Sequence, residues 1–199
     1  MNMEEGKLHV ALHVYDFGPF KEAHIELAPL TIFVGENSLG KSVLLHLIWM
    51  LERTRPKMSE LYKIVEEHGG IELAEKCFDA LEIGRVPDKL IKQLILMFIE
   101  AYPRAWAKAI EEEICKTFGV SSHEKVIRLG ASRLRAIIEG RMGEIELIIY
   151  KKGVLCRWKE LDEDIVNVVE IEGWPGGLSL DIKGNGSWIS DDILSLIHI

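Results

Sequence analysis

Gly35, Gly40, Lys41 and Ser42 stand at the spacing G-x-x-x-x-G-K-S/T. An apolar run over residues 30–34 precedes them, and a helix-like apolar run follows through Leu51. This stretch limits the chain more than any other, because the pattern has meaning only as a loop between a buried strand and a helix. The flanks predict both. Residues 30–34 read as a buried strand, and Leu44, Leu47, Ile48 and Leu51 recur at i, i+3, i+4 and i+7, the period of a helix with one apolar stripe.

The residue types explain what such a loop holds. Glycines at 35 and 40 give the backbone dihedrals closed to other residues, so successive N–H groups can turn inward around a phosphate. A helix beginning near Lys41 aims the positive end of its dipole at the same place. Gly35, Glu36, Asn37, Ser38, Leu39, Gly40, Lys41, Ser42 and Val43 are therefore the candidate nucleotide-binding residues. Lys41 would hold the β and γ phosphates as the catalytic cation, and Ser42 would ligate Mg²⁺.

At 199 residues the chain can build one domain with a core, or one domain carrying an insertion. An apolar share of 48% excludes disorder through low hydropathy. Cys77, Cys115 and Cys156 are widely spaced, which indicates neither a zinc site nor a disulfide framework and fits a reducing cytoplasm. The apolar run from Leu94 to Ile99 is too short to cross a bilayer, so no membrane insertion is expected. A net charge of −8 opposes binding of nucleic acid by the surface as a whole. The charge is uneven, however: residues 125–159 carry +6 and the remainder −14. Lys125, Arg128, Arg133, Arg135, Arg141, Lys151, Lys152, Arg157 and Lys159 make that segment a candidate DNA contact.

Along the chain, Leu8, Val10, Leu12 and Val14 alternate with polar residues as a half-buried strand. Gly18 and Pro19 mark a turn, and Ile25 and Leu27 continue a second strand that Pro29 closes. His9, His13 and His24 fall on the polar sides and read as surface residues. Residues 58–119 predict a helical block: one helix capped by Ser59 and ending at Gly69, a second from Ile71, and others starting at Pro87 and Pro103, with a stop at Gly119. From 120 onward strands dominate. Ser121 with Glu124 predicts a short capped helix, residues 133–139 a strand, and 144–159 a hairpin around Lys151, Lys152 and Gly153. Residues 166–171 predict another strand, residues 178–189 a hairpin around Gly184, Asn185 and Gly186, and Ser190 onward a helix start.

The strand, the Tyr15 to Phe20 turn, the second strand from Ile25 and the loop to Ser42 together resemble the N-terminal lobe of ABC-type ATPases of the SMC, RecF and OLD group, over about the first 53 residues. The resemblance implies an α/β fold: a P-loop NTPase lobe with a mixed β-sheet around the P-loop helix, a helical insertion and β-hairpins. Residues 1–57 and 120–199 would form the lobe and 58–119 the insertion. It further implies ATP and Mg²⁺ as ligands, a homodimer or a second ATPase half as partner, and a role in DNA maintenance or defence. The family's Walker B run, LSGG-like signature and switch histidine have no counterpart here. Leu178, Ser179, Leu180 and Asp181 lack the following Glu, and Gln93 lies in a helix pattern rather than a Q-loop. Leu39 stands where the family has a small or polar residue. The expectation is thus a lobe that binds nucleotide and is hydrolytically incomplete alone. The alternatives are an ATP-binding subunit of a transport-type system and a scaffold whose loop stays empty.

Overall fold

The computed structural model describes residues 10–37, 39–82, 87–140, 143–161, 168–174 and 177–182. The chain divides into two compact units, Met1–Arg55 with Trp106–Leu161, and Pro56–Ala105 with Asp162–Ile199.

The first unit is built on an antiparallel sheet. Its strands are β1 (Val10–Phe17), β2 (Phe20–Leu27), β3 (Arg133–Gly140), β4 (Gly143–Tyr150) and β5 (Gly153–Leu161), in the spatial order β2-β1-β3-β4-β5. Every neighbouring pair is antiparallel, which corrects the expectation of a mixed sheet. The reason is local: three of the four pairings join consecutive strands through turns of two residues, and such turns can connect only antiparallel neighbours. Strand alternation then sorts the side chains. Leu12, Val14, Leu134, Ala136, Leu147 and Ile149 are all but inaccessible and form the apolar face. Helix α1 (Lys41–Arg53) buries Leu44, Leu47, Met50 and Leu51, much as its periodicity predicts.

The opposite face is charged. His13 and His24 lie directly across from one another on β1 and β2, with Nδ1 facing Nδ1, and His13 Nε2 is 2.8 Å from Glu139. Farther along, Glu146 on β4 accepts from Arg135 Nε at 2.6 Å and from Arg157 Nε at 2.7 Å. Glu146 is buried while both arginines keep contact with solvent. Burial raises its proton affinity, but the hydrogen bonds and charges of Arg135 and Arg157 outweigh this and hold the carboxyl below its ordinary range.

The second unit contains α2 (Met58–Glu67), α3 (Gly70–Glu82), the first part of α4 (Asp88–Phe118) and the pair β6 (Val168–Trp174) and β7 (Gly177–Ile182). Ser59 does not cap α2. Lys57 occupies the cap, and Ser59 falls inside the first turn. Gly69, at φ +85°, supports the reversal into α3, where a side chain at Gly70 would collide with Val65. Tyr62 meets Phe98 edge to face at 5.9 Å.

The expected break at Pro103 does not occur, because α4 runs through it. Proline removes one helical N–H. Against that cost, Ile91, Ile95, Ile99, Tyr102, Trp106, Ile110 and Ile114 form one unbroken buried stripe at spacings of three and four. Gly119, at φ +62°, ends the helix as expected. The short helix after it is a 3-10 turn, His123–Val126, entered from Ser122 rather than Ser121. Strand β7 pairs with β6, and the predicted hairpin turn at 184–186 and the helix start at 190 lie outside the described residues.

A folded value depressed for Glu146 contributes stability that is present above the unfolded carboxyl pKa and is lost as the pH falls through the folded one. Glu146→Gln therefore lowers stability by about 2 kcal/mol at neutral pH, the range of hydrogen bonds to charged groups. Denaturant titrations at neutral pH and near pH 3 check this: the gap between variant and parent narrows in acid.

Candidate nucleotide-binding loop

The loop begins where β2 ends. Thr31 Oγ1 accepts from the Ala28 N–H at 3.0 Å and donates to the Ala28 carbonyl at 3.3 Å, closing a turn over residues 28–31. The buried strand expected over 30–34 is not formed. Those residues have no ladder partner among the described strands, and Leu30, Ile32 and Val34 are 78%, 72% and 86% exposed. An apolar strand is stable only with neighbours to pair with and a face to cover it. Pro29, which lacks an N–H, and the Thr31 turn both lead the chain away from β2.

The two glycines of the pattern both take positive φ. Gly35 has φ +148° and Gly40 has φ +88°, both in the region that disfavours a side chain. Between them Glu36, Asn37 and Leu39 are exposed, and Ser38 lies outside the described residues. Gly40 is the N-cap of α1 and supplies the carbonyl that accepts from the Leu44 N–H at 3.0 Å. No side chain caps the helix, and no acidic residue lies in its first turn. Among the described residues, the positive end of the helix thus has neither a side-chain cap nor an acid in its own first turn.

Lys41 turns back across the loop. Its Nζ donates to the Gly35 carbonyl at 2.8 Å and to the Glu36 carbonyl. The ammonium therefore lies at the loop's entrance, held by two neutral oxygens that a phosphate, carrying full charge, can displace. Ser42 is exposed beside it, and Val43 is half-buried against Gly18. Among the described residues no group of three His, Cys, Asp or Glu side chains converges as a metal site. A Mg²⁺ ion here would be held by the Ser42 hydroxyl and would take further oxygens from phosphate and water, a coordination that suits the ion.

What holds the loop in place is a contact that sequence reasoning missed. A Cβ on Gly40 would come within 2.5 Å of Pro19 and 2.9 Å of Phe20, the turn between β1 and β2. The hairpin tip therefore presses on the first residue of the loop helix. Gly18 and Pro19 were visible as a turn signal, but nothing local in the sequence says where that turn lands. Elsewhere, burial raises the proton affinity of the Cys77 and Cys156 thiols and keeps both neutral. All three cysteines are free.

Gly40→Ala combines a left-handed dihedral with that collision, whereas Gly130→Ala places a side chain at φ +87° in open space. Urea denaturation separates the two effects. Gly130→Ala costs about 1 kcal/mol and Gly40→Ala at least about 2; equal losses would mean that the hairpin tip does not bear on the loop. Comparison with family models, curated proteins and solved structures finds no match to this chain.

Proposed function

We propose that this chain is the nucleotide-binding lobe of a P-loop ATPase resembling the SMC, RecF and OLD group, and that it binds Mg-ATP through residues 35–43. The observation that carries the reading is the loop's entrance: two glycines at positive φ, an uncapped helix N-terminus, and the Lys41 ammonium resting on the Gly35 and Glu36 carbonyls. Each part favours an anion, and the three lie within one turn of chain. In the proposed complex Lys41 would exchange the carbonyls for the nucleotide's phosphates, the amides of the first helical turn would donate to phosphate oxygens, and the Ser42 hydroxyl would help hold the Mg²⁺. Bound Mg²⁺ would neutralise phosphate charge.

The exposed Leu30, Ile32, Val34 and Leu39 support the view that this lobe is completed by a second ATPase half or a second copy. The sequence carries no counterpart of the family's Walker B carboxylate that positions water, so negligible turnover by the lone chain is expected. Free thiols accord with a reducing cytoplasm, and among the described residues no helix is long and apolar enough to cross a membrane. Four cations of the basic segment, Lys125, Arg133, Lys151 and Lys152, make no ion pair among the described residues, which supports DNA as a partner.

Thermal unfolding tests the nucleotide reading. At about 100 times Kd, Mg-ATP adds roughly 2.7 kcal/mol, or about 5 to 10 °C. The shift vanishes in Lys41→Ala, and phosphate release stays at background. No shift in the parent protein would favour an empty scaffold, and substantial turnover lost in Lys41→Ala would overturn the incomplete site.

A further inference from the structure

We infer that one corner of the sheet's charged face is a platform for single-stranded nucleic acid. Register brings the residues together. Arg133 lies opposite Tyr150, Arg135 opposite Ile148, and Ile148 opposite Leu155, while Lys151 and Lys152 form the turn that joins Tyr150 to Gly153. Residues that pair across strands share a face, so Arg133, Arg135, Tyr150 and Leu155 project from the same side as Arg157.

The basic segment sorts into two classes there. Arg128 faces Asp16, Lys159 is bound by Glu144, and Arg135 and Arg157 share the single carboxylate of Glu146. Arg133, Lys151 and Lys152 make no ion pair among the described residues, and two arginines against one carboxylate leave further positive charge. One further acid borders the turn: the Glu111 carboxylate lies 4.0 Å from His123 and would stand 3.6 Å from a Cβ on Gly153. A chain of net charge −8 thus concentrates cations at one sheet corner.

Charge alone would fit a duplex or an acidic peptide. The side chains between the cations decide otherwise. Tyr150 is 37% exposed and Leu155 40%, while Tyr15 carries the Arg135 guanidinium 5.7 Å from its ring centre. A duplex turns its phosphates outward and offers no base face to Tyr150 or Leu155. An unpaired strand offers both, with bases that stack on an aromatic ring and phosphates within reach of lysine and arginine. This inference rests on the reading of the basic segment as a nucleic-acid contact and is independent of nucleotide at the loop.

Fluorescence anisotropy of the full chain with a labelled oligothymidine of about fifteen nucleotides tests it, beside a duplex of equal length and unlabelled polyglutamate as competitor. The oligothymidine binds at least about tenfold tighter than the duplex. Tyr150→Ala weakens it about fivefold or more while keeping the salt dependence, and Tyr150→Phe restores it. Lys151→Gln with Lys152→Gln lowers affinity and reduces the salt slope by about two. Arg133→Gln serves in its place should the double variant melt early. Equal binding of the duplex, with Tyr150→Ala silent, overturns the platform while leaving a phosphate-contacting basic segment. No binding of either nucleic acid at low salt overturns both, and displacement by polyglutamate at equal charge points to an acidic protein instead. The Mg-ATP melting shift measured on the same samples reports separately on the loop.

Discussion

The turn between β1 and β2 is the contact on which the first unit depends. Phe17 is fully buried, with its ring edge-on to Phe118 of α4 at 5.6 Å. The Gly18 N–H donates to the Val126 carbonyl at 2.8 Å, and the Arg128 N–H donates to the Asp16 carbonyl at the same distance. Gly18 also meets Val43, and Pro19 and Phe20 cover Gly40. Five residues therefore tie the sheet to the start of α1, the end of α4 and the segment leading into β3. Asp16 takes φ +54° to do so, a conformation that its short polar side chain tolerates and that the Arg128 pair helps to hold.

This arrangement gives the loop its shape. The candidate loop is not preceded by a buried strand, since Leu30, Ile32 and Val34 are exposed and residues 30–34 pair with no described strand. Its fixed end is the helix end, anchored by the hairpin tip at Gly40 and, at the far terminus of α1, by the Trp106 Nε1–H donating to the Thr54 carbonyl at 2.8 Å. Among the described residues, the hydrogen bonds on the approach to Gly35 are those of the Thr31 turn and of Lys41. The exposed Leu30, Ile32 and Val34 lie on the unanchored side.

The legible parts of this fold were those written locally. The stripe of α1 and the Lys151–Lys152 turn each rest on neighbours within a few positions, so periodicity and turn chemistry found them. The misreadings came where distant contacts decide. Residues 30–34 carry the composition of a buried strand but no pairing partner among the described residues. Pro103 carries the signature of a helix start but sits within a buried stripe that extends to both sides. The strand alternation did place His13 and His24 on the polar side. That Glu146 would be buried between Arg135 and Arg157 required the register of three strands. The candidate loop was legible as a pattern of residue types. The seat beneath Gly40 was not, because it joins residues twenty positions apart through shape alone.

The claim on which the functional account turns is that residues 35–43 receive a triphosphate. Amide hydrogen exchange, followed with and without Mg-ATP, reads this at the backbone itself. Exchange slows only at the amides from Gly35 to Val43 and in the first turn of α1, and this protection is absent in Lys41→Ala. Unchanged exchange across those amides at saturating Mg-ATP, or protection arising only elsewhere in the chain, would contradict it.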